Sequence, residues 1–331
     1  MKVDNMDFHL DGAGASRMRP VCRVSDGEKR MRYLLIIFVV LLFVSVCSAQ
    51  EIAITIDDAP RGDTKLFSGI KRTQTLIENL RKAKVADVLI FVVTKQIDEN
   101  SIERLEAYEE AGFHLANHSH NHFSANRQDL DIYLEDITVA HRILEKFDSF
   151  VPFYRYPYLH HGNNRETRDR IQAHLKNLEY GIGYVTIDNY EWYMDSLLQN
   201  ALSEGKEVDY EALGNVYIAT LWETIIFYDT IARRTLGPSP KHVLLVHEND
   251  ITALYIGELA EYIRSQGWKI ISPQEAYTDP IVSIVSDVLY NNQGRVAAIA
   301  RGQGWERRRL SHEAENEVYL KALFERQNVF K

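Results

Sequence analysis

The chain has 331 residues and a net charge of −9, with 45% hydrophobic and 26% charged side chains. That is enough apolar mass for a sizeable core, in one large domain or two small ones. The acidic balance argues against nucleic acid as a partner.

Residues 1–30 show no periodic pattern and read as an N-terminal extension ahead of a second candidate start, Met31. Residues 31–49 have the layout of a secretory signal peptide. Arg30 and Arg32 give a basic start, an almost wholly apolar run covers 34–46, and Cys47, Ser48 and Ala49 offer small residues for cleavage. The apolar run is about 13 residues, short of the ~20 that span a bilayer, so export to the periplasm or the extracellular space is expected. An uncleaved membrane anchor is the alternative. Both cysteines, Cys22 and Cys47, precede the expected cut, so burial and not disulfide bonding must hold the exported chain. The first 49 residues carry a surplus of two positive charges, which leaves −11 for the remainder.

From Glu51 onward, short apolar runs alternate with longer helical patterns. Residues 52–56 read as a buried strand ending in Asp57-Asp58. A helix is expected over 65–84, a strand over 88–93, a helix capped by Ser101 up to Gly112, and a strand over 113–116 that feeds His118-Ser119-His120-Asn121-His122. An amphipathic helix follows over 129–147, then a strand over 151–154 leading to Arg155, a helix over 165–178, and a strand over 181–187 ending at Asp188. Residues 193–240 read as a helical insertion, with one long aromatic-rich helix over 209–234. It is expected either to pack as a pair of crossover helices or to wall a substrate cleft. A strand over 243–246 ends at His247, a helix covers 252–266, and the last strand covers 268–271. Residues 278–331 read as surface helices and a tail, because charge dominates around Arg307-Arg308-Arg309. Strands separated by helices predict a parallel sheet, and seven such units over about 230 residues fit a barrel better than an open sheet. The catalytic unit is thus expected over 50–277.

In such barrels chemistry sits at the C-terminal strand ends, where Asp57, Asp58, His118, Arg155, Asp188 and His247 all fall. His118 and His122, four apart, would share one face of a helical turn; His118 and His120, two apart, would share one face of a strand. Adjacent carboxylates raise one another's pKa unless a cation intervenes. A divalent metal resolves this, and two imidazoles with one carboxylate form a known catalytic zinc set. Asp58, His118 and His122 are therefore the expected ligands, with Asp57 as the base.

These residues resemble the motifs of the polysaccharide deacetylase family, carbohydrate esterase family 4. Thr55-Ile56-Asp57-Asp58 and His118 to His122 correspond to the first two motifs, and Arg155-Tyr156-Pro157-Tyr158 to the third. Asp188-Asn189-Tyr190-Glu191-Trp192 corresponds to the fourth, with Glu191 where the family has Asp, and Leu245-Val246-His247 to the fifth. The resemblance implies an α/β fold, a distorted seven-stranded barrel, and metal-dependent removal of acetyl groups from an N-acetylated glycan, peptidoglycan- or chitin-like. It implies Asp57 as base, Arg155 orienting Asp57, and His247 as acid. It further implies Tyr158, Trp192 and Leu245 around the substrate, and a metal that is Zn²⁺ before Co²⁺ or Ni²⁺. No stable protein partner is implied. Cleavage of an acetyl ester or a non-sugar amide on the same site, or a silent glycan-binding module, are the alternatives.

Overall fold

The structure, a computed structural model, describes residues 49–331. The extension read over 1–30, and all of the signal peptide but Ala49, lie outside the described residues. The sheet is built from β1 (Glu51–Ala59), β2 (Leu89–Val92), β3 (His114–Asn117), β4 (Phe150–Tyr154), β5 (Gly181–Ile182), β6 (His242–His247) and β7 (Lys269–Ile270). All pairings between these strands are parallel, in the order β5-β4-β3-β2-β1-β6, with β7 beside the start of β1. β1, apolar between Ile52 and Ile56 save for Thr55, and the wholly apolar β2 are almost wholly buried, as befits parallel strands covered on both faces.

Register decides which side chains meet. Asp57 on β1 pairs directly with His247 on β6. Asn117 on β3 pairs with both Val92 and Tyr154. The next residues out, His118 and Arg155, donate their amides to the carbonyls of Val92 and Asn117 at 3.0 Å each. The C-terminal strand ends thus lie level along one rim.

β5 is shorter than the 181–187 expected. Any side chain at Gly183 would run into the Phe91 ring, 2.5 Å from where a Cβ would sit, and the strand ends one residue earlier. The chain resumes pairing at Ile187, which bridges to Leu244 of β6. With Ile187 N–H donating to Val243 at 3.1 Å and Leu245 N–H to Ile187 at 3.3 Å, the sheet curls back on itself. This is the distorted seven-stranded α/β barrel expected.

The helices are α1 (Gly69–Lys82), α2 (Glu99–Glu110), α3 (Leu130–Leu144), α4 (Arg165–Asn177), α5 (Glu191–Ser203), α6 (Tyr210–Leu236), α7 (Asp250–Ser265), α8 (Pro273–Ala276), α9 (Arg295–Gly302) and α10 (Glu317–Arg326). Asp98, not Ser101, caps α2. Its carboxylate accepts the Ser101 amide at 2.8 Å while the Ser101 hydroxyl accepts the Asp98 amide at 2.6 Å, a reciprocal capping box. Asp129, Asn164, Asp209, Asn249 and Asn316 cap their helices in the usual way.

The insertion is a helix pair. Tyr217 and Tyr228 of α6 are buried in the core, and Trp222 packs edge-on against Trp268 at 5.8 Å. These aromatics pack the interior; α5 alone brings side chains, Trp192 and Ser196, to the cleft. Residues 278–331 correct the surface reading. Val296, Ala297, Ala300, Leu320, Phe324 and Val329 belong to the main core. Phe330 pairs antiparallel with Val208, and the Asp209 amide donates to Val329 at 2.9 Å. The charges of Arg307–Arg309 occupy one exposed turn, while the apolar spacing of α9 and α10 faces inward. Phe324→Ala is expected to cost about 3–5 kcal/mol in denaturant unfolding; a loss below about 0.5 kcal/mol, the level of surface substitutions, would restore the surface assignment. No helix among the described residues is long and apolar enough to cross a membrane.

Candidate active site

β1 delivers the acid pair. Asp57 keeps extended geometry, but Asp58 turns to φ +69°, at a register irregularity between Ile56 and Ala59. The two carboxylates thereby part. Asp57 is buried against Arg155, whose Nη1 donates to Oδ1 at 2.8 Å. Asp58 Oδ1 faces His118 Nε2 at 3.5 Å and His122 Nε2 at 3.3 Å.

His118 and His122 come together by neither a helical turn nor a strand. The loop after β3 passes through φ +71° at Ser119 and +57° at His122, and the Ser119 hydroxyl accepts the His122 amide at 2.9 Å. Asp136, buried on α3, ties the loop down: it accepts the amides of His120 at 2.9 Å and Asn121 at 3.1 Å. His120 points the other way, its Nδ1 2.9 Å from the Thr94 hydroxyl. His118 Nδ1 lies 2.9 Å from the Arg155 carbonyl; donating there, it leaves Nε2 unprotonated and facing Asp58.

The triangle closes with His118 Nε2 and His122 Nε2 3.3 Å apart. Asp58 Oδ1 is buried and has no hydrogen-bond partner among the described residues. Burial raises its carboxyl, but the imidazoles of His118 and His122 and the His247 charge outweigh burial and hold it well below the usual carboxylate range. Zinc bound tetrahedrally at ~2.0–2.1 Å to nitrogen and oxygen donors sets those donors about 3.3–3.4 Å apart. Edges of 3.3, 3.3 and 3.5 Å around an orphaned carboxylate oxygen fit that group. Asp136→Ala leaves the three ligands intact but frees their loop; metal affinity is expected to fall about 10–100-fold, read by competition with a chromophoric chelator.

Arg155 lies behind the acid pair, fully buried. Nε donates to the Gly183 carbonyl at 2.6 Å, and Nη2 donates to the hydroxyl oxygens of Thr55 at 3.1 Å and Tyr277 at 3.0 Å. The guanidinium lies 4.1 Å over the Phe91 ring. With its donors so occupied, it can turn neither away from Asp57 nor toward a ligand.

His247 is held by Glu191. Glu191 Oε2 lies 2.8 Å from His247 Nδ1, and Oε1 accepts the His247 amide at 2.8 Å, Asn249 Nδ2 at 2.9 Å and the Thr252 hydroxyl at 2.9 Å. Burial alone lowers the imidazole's pKa; the Glu191 charge and hydrogen bond, with smaller contributions from Asp58 and Asp57, raise it to about 9. The extra methylene of Glu191 therefore reaches His247, and not Arg155.

Asp57, Asp58, His118, His122 and His247 line one cavity of ≈ 360 Å³ together with Tyr158, Trp192 and Leu245. Tyr158 sits at φ +58° with its ring against His122, centroids 4.6 Å apart. Asp188 also lines the cavity, its carboxyl pushed well up by burial and then by the Glu315 charge. Sequence reasoning missed Asp136, Tyr277 and Asn292. Asp136 had a signal, as a lone acid in the apolar stripe of α3 beside Tyr133, Ile137 and Ala140. Tyr277 and Asn292 had none: Tyr277 is the last residue of the expected catalytic unit, past its last strand, and Asn292, which lines the cavity, lies in the stretch read as surface helices and tail.

Residues 47–179 match the family model described as polysaccharide deacetylase. That stretch, under half of the chain, is similar to a polysaccharide deacetylase domain. The matched stretch holds the first three motifs, while Glu191, Trp192, Leu245 and His247 lie beyond it. Among solved structures, the chain is similar to peptidoglycan deacetylase PdaC from Bacillus subtilis, at 19% identity over 70% of this chain and 93% of that one, TM-score 0.45. It is similar to a family 4 carbohydrate esterase from Streptomyces lividans in complex with acetate, at 20% identity over 70% and 96%, TM-score 0.44. It is also similar to BA3943, a family pseudoenzyme from Bacillus anthracis, at 16% identity over 69% and 66%, TM-score 0.47. Comparison with curated protein sequences gave no match.

Proposed function

We propose that this chain is an exported, zinc-dependent hydrolase that removes acetyl groups from an N-acetylated polysaccharide or oligosaccharide, peptidoglycan- or chitin-like. The observation that carries the reading is the triangle of Asp58, His118 and His122 donor atoms, flanked by a carboxylate clamped to Arg155 and an imidazole clamped to Glu191. Export rests on the signal-peptide pattern at 31–49.

When bound at Asp58, His118 and His122, the metal supplies Lewis acidity, polarising the acetyl carbonyl and lowering the pKa of water. Asp57 takes the proton of the attacking water, and Arg155 fixes the carboxylate's direction. Trp192 and Leu245 give the acetyl methyl an apolar seat, and the Tyr158 backbone amide donates to the carbonyl oxygen as charge develops there. His247 donates its proton to the departing nitrogen. An amine is a poor leaving group unless protonated, so a charged His247 favours an amide over an ester as the substrate bond.

Chelator-treated protein is expected to release no acetate from N-acetylated oligosaccharides and to recover on Zn²⁺ addition, with acetate measured by coupled assay. Equal activity with and without metal would falsify the reading. Glycan binding with no acetate under any metal would instead identify a silent binding module.

A further inference from the structure

A second cavity, of ≈ 340 Å³, lies between α4, the stretch around Tyr184 and the segment 282–299. Its body is apolar, formed by Leu175, Ile182, Val185 and Ile299. At its rim Val282, Val285 and Val288 are 41%, 61% and 41% exposed, apolar side chains left in water at the mouth of an apolar space. Four tyrosines line it, and two of them, Tyr156 at 8% and Tyr184 at 6% exposure, have hydroxyls with no hydrogen-bond partner among the described residues. An unpaired buried hydroxyl is costly.

The cavity also contains a cation without an anion. The Arg295 guanidinium lies over the Tyr184 ring at 4.2 Å, and Nη1 donates to the carbonyls of Ile281 at 3.1 Å and Val282 at 2.7 Å. No carboxylate pairs with it among the described residues. Arg168, also in the lining, already holds Asp169 at 2.8 Å. His161 adds no charge at neutral pH, because burial lowers its pKa to about 4. Two unspent hydroxyl donors and an unpaired guanidinium in an apolar space call for an anionic acceptor on an apolar body.

We propose that this cavity binds a small carboxylic acid with an apolar body, its carboxylate received by Arg295 and the hydroxyls of Tyr156 and Tyr184. The site is separate from the catalytic cavity, though both back onto Tyr156 and Leu159; a bound acid would brace the stretch that presents Tyr158 to the metal ligands.

The probe is octanoate, titrated calorimetrically into the purified chain, with octan-1-ol and acetate as comparators. One octanoate is expected per chain, bound roughly tenfold or more tighter than octan-1-ol, with acetate too small to bind measurably. Arg295→Gln is expected to weaken octanoate about tenfold, and the Tyr156→Phe/Tyr184→Phe pair, which removes only the two oxygens, about three- to tenfold. Should Arg295→Gln fail to fold, the paired tyrosine variant decides. Octanoate binding no better than octan-1-ol, or unaltered in the foldable variants, overturns the proposal. Displacement of octanoate by an N-acetylated oligosaccharide overturns it as a separate site, whether or not that glycan is hydrolysed.

Discussion

Asp57→Asn is expected to lower kcat by about 10²–10⁴-fold while the protein keeps its affinity for a divalent metal. The amide cannot take a proton from water, but it contributes nothing to the Asp58, His118 and His122 triangle either, so metal content by elemental analysis stays at wild-type stoichiometry. The same change withdraws the only carboxylate paired, among the described residues, with a fully buried guanidinium. Thr55, Tyr277 and the Gly183 carbonyl remain to Arg155, and the asparagine oxygen can still accept one bond. Breaking a buried pair costs about 3–5 kcal/mol, so a fall in melting temperature should accompany the loss of turnover. A variant that folds, turns over slowly and no longer binds metal would reverse the roles assigned to Asp57 and Asp58.

Glu191→Gln should act on pH dependence first. With the carboxylate gone, burial of His247 is opposed chiefly by Asp58 and Asp57, and its pKa falls from about 9. The variant's kcat profile should lose its alkaline limb at correspondingly lower pH, because the acid is deprotonated earlier. Stability follows with a definite sign. The folded pKa of His247 is raised, so its contribution is fully present below the unfolded value near 6.5 and disappears as pH rises through about 9. Wild-type melting temperature should therefore decline between pH 6.5 and 9, and the variant should show less of that decline while melting lower at pH 6. Identical alkaline limbs in the two proteins would remove Glu191 from the role of holding the acid charged.

The parts of the site written locally were legible in the sequence. Asp57-Asp58 ends a β-branched run, and the imidazoles follow the short, mostly apolar run over 113–116, so placing both at strand ends needed only the alternation of apolar segments. How His118 and His122 converge was not legible: the spacing suggested a helical turn, whereas left-handed backbone at Ser119 and His122 does it, and that depends on Asp136 from a helix later in the chain. Tyr277 is a bond to Arg155 made across 122 residues, and no local pattern encodes such a contact. The C-terminal helices were misread because three adjacent arginines outweighed the apolar spacing on either side. α9 packs on α6 and α10 on α5, and a stripe with an unseen partner looks the same as a surface helix.

The left-handed residues at Asp58, His122 and Tyr158 carry a consequence for assembly. Each such residue costs on the order of 1–3 kcal/mol, and the polypeptide meets that cost through its own cap, clamp and ladder bonds. Small zinc-nucleated modules behave otherwise, collapsing only once the ion arrives. A metal would therefore enter a site already formed, so circular dichroism of the chelator-treated protein should retain its native secondary structure, and metal uptake should be limited by shedding of the ion's hydration water and not by folding.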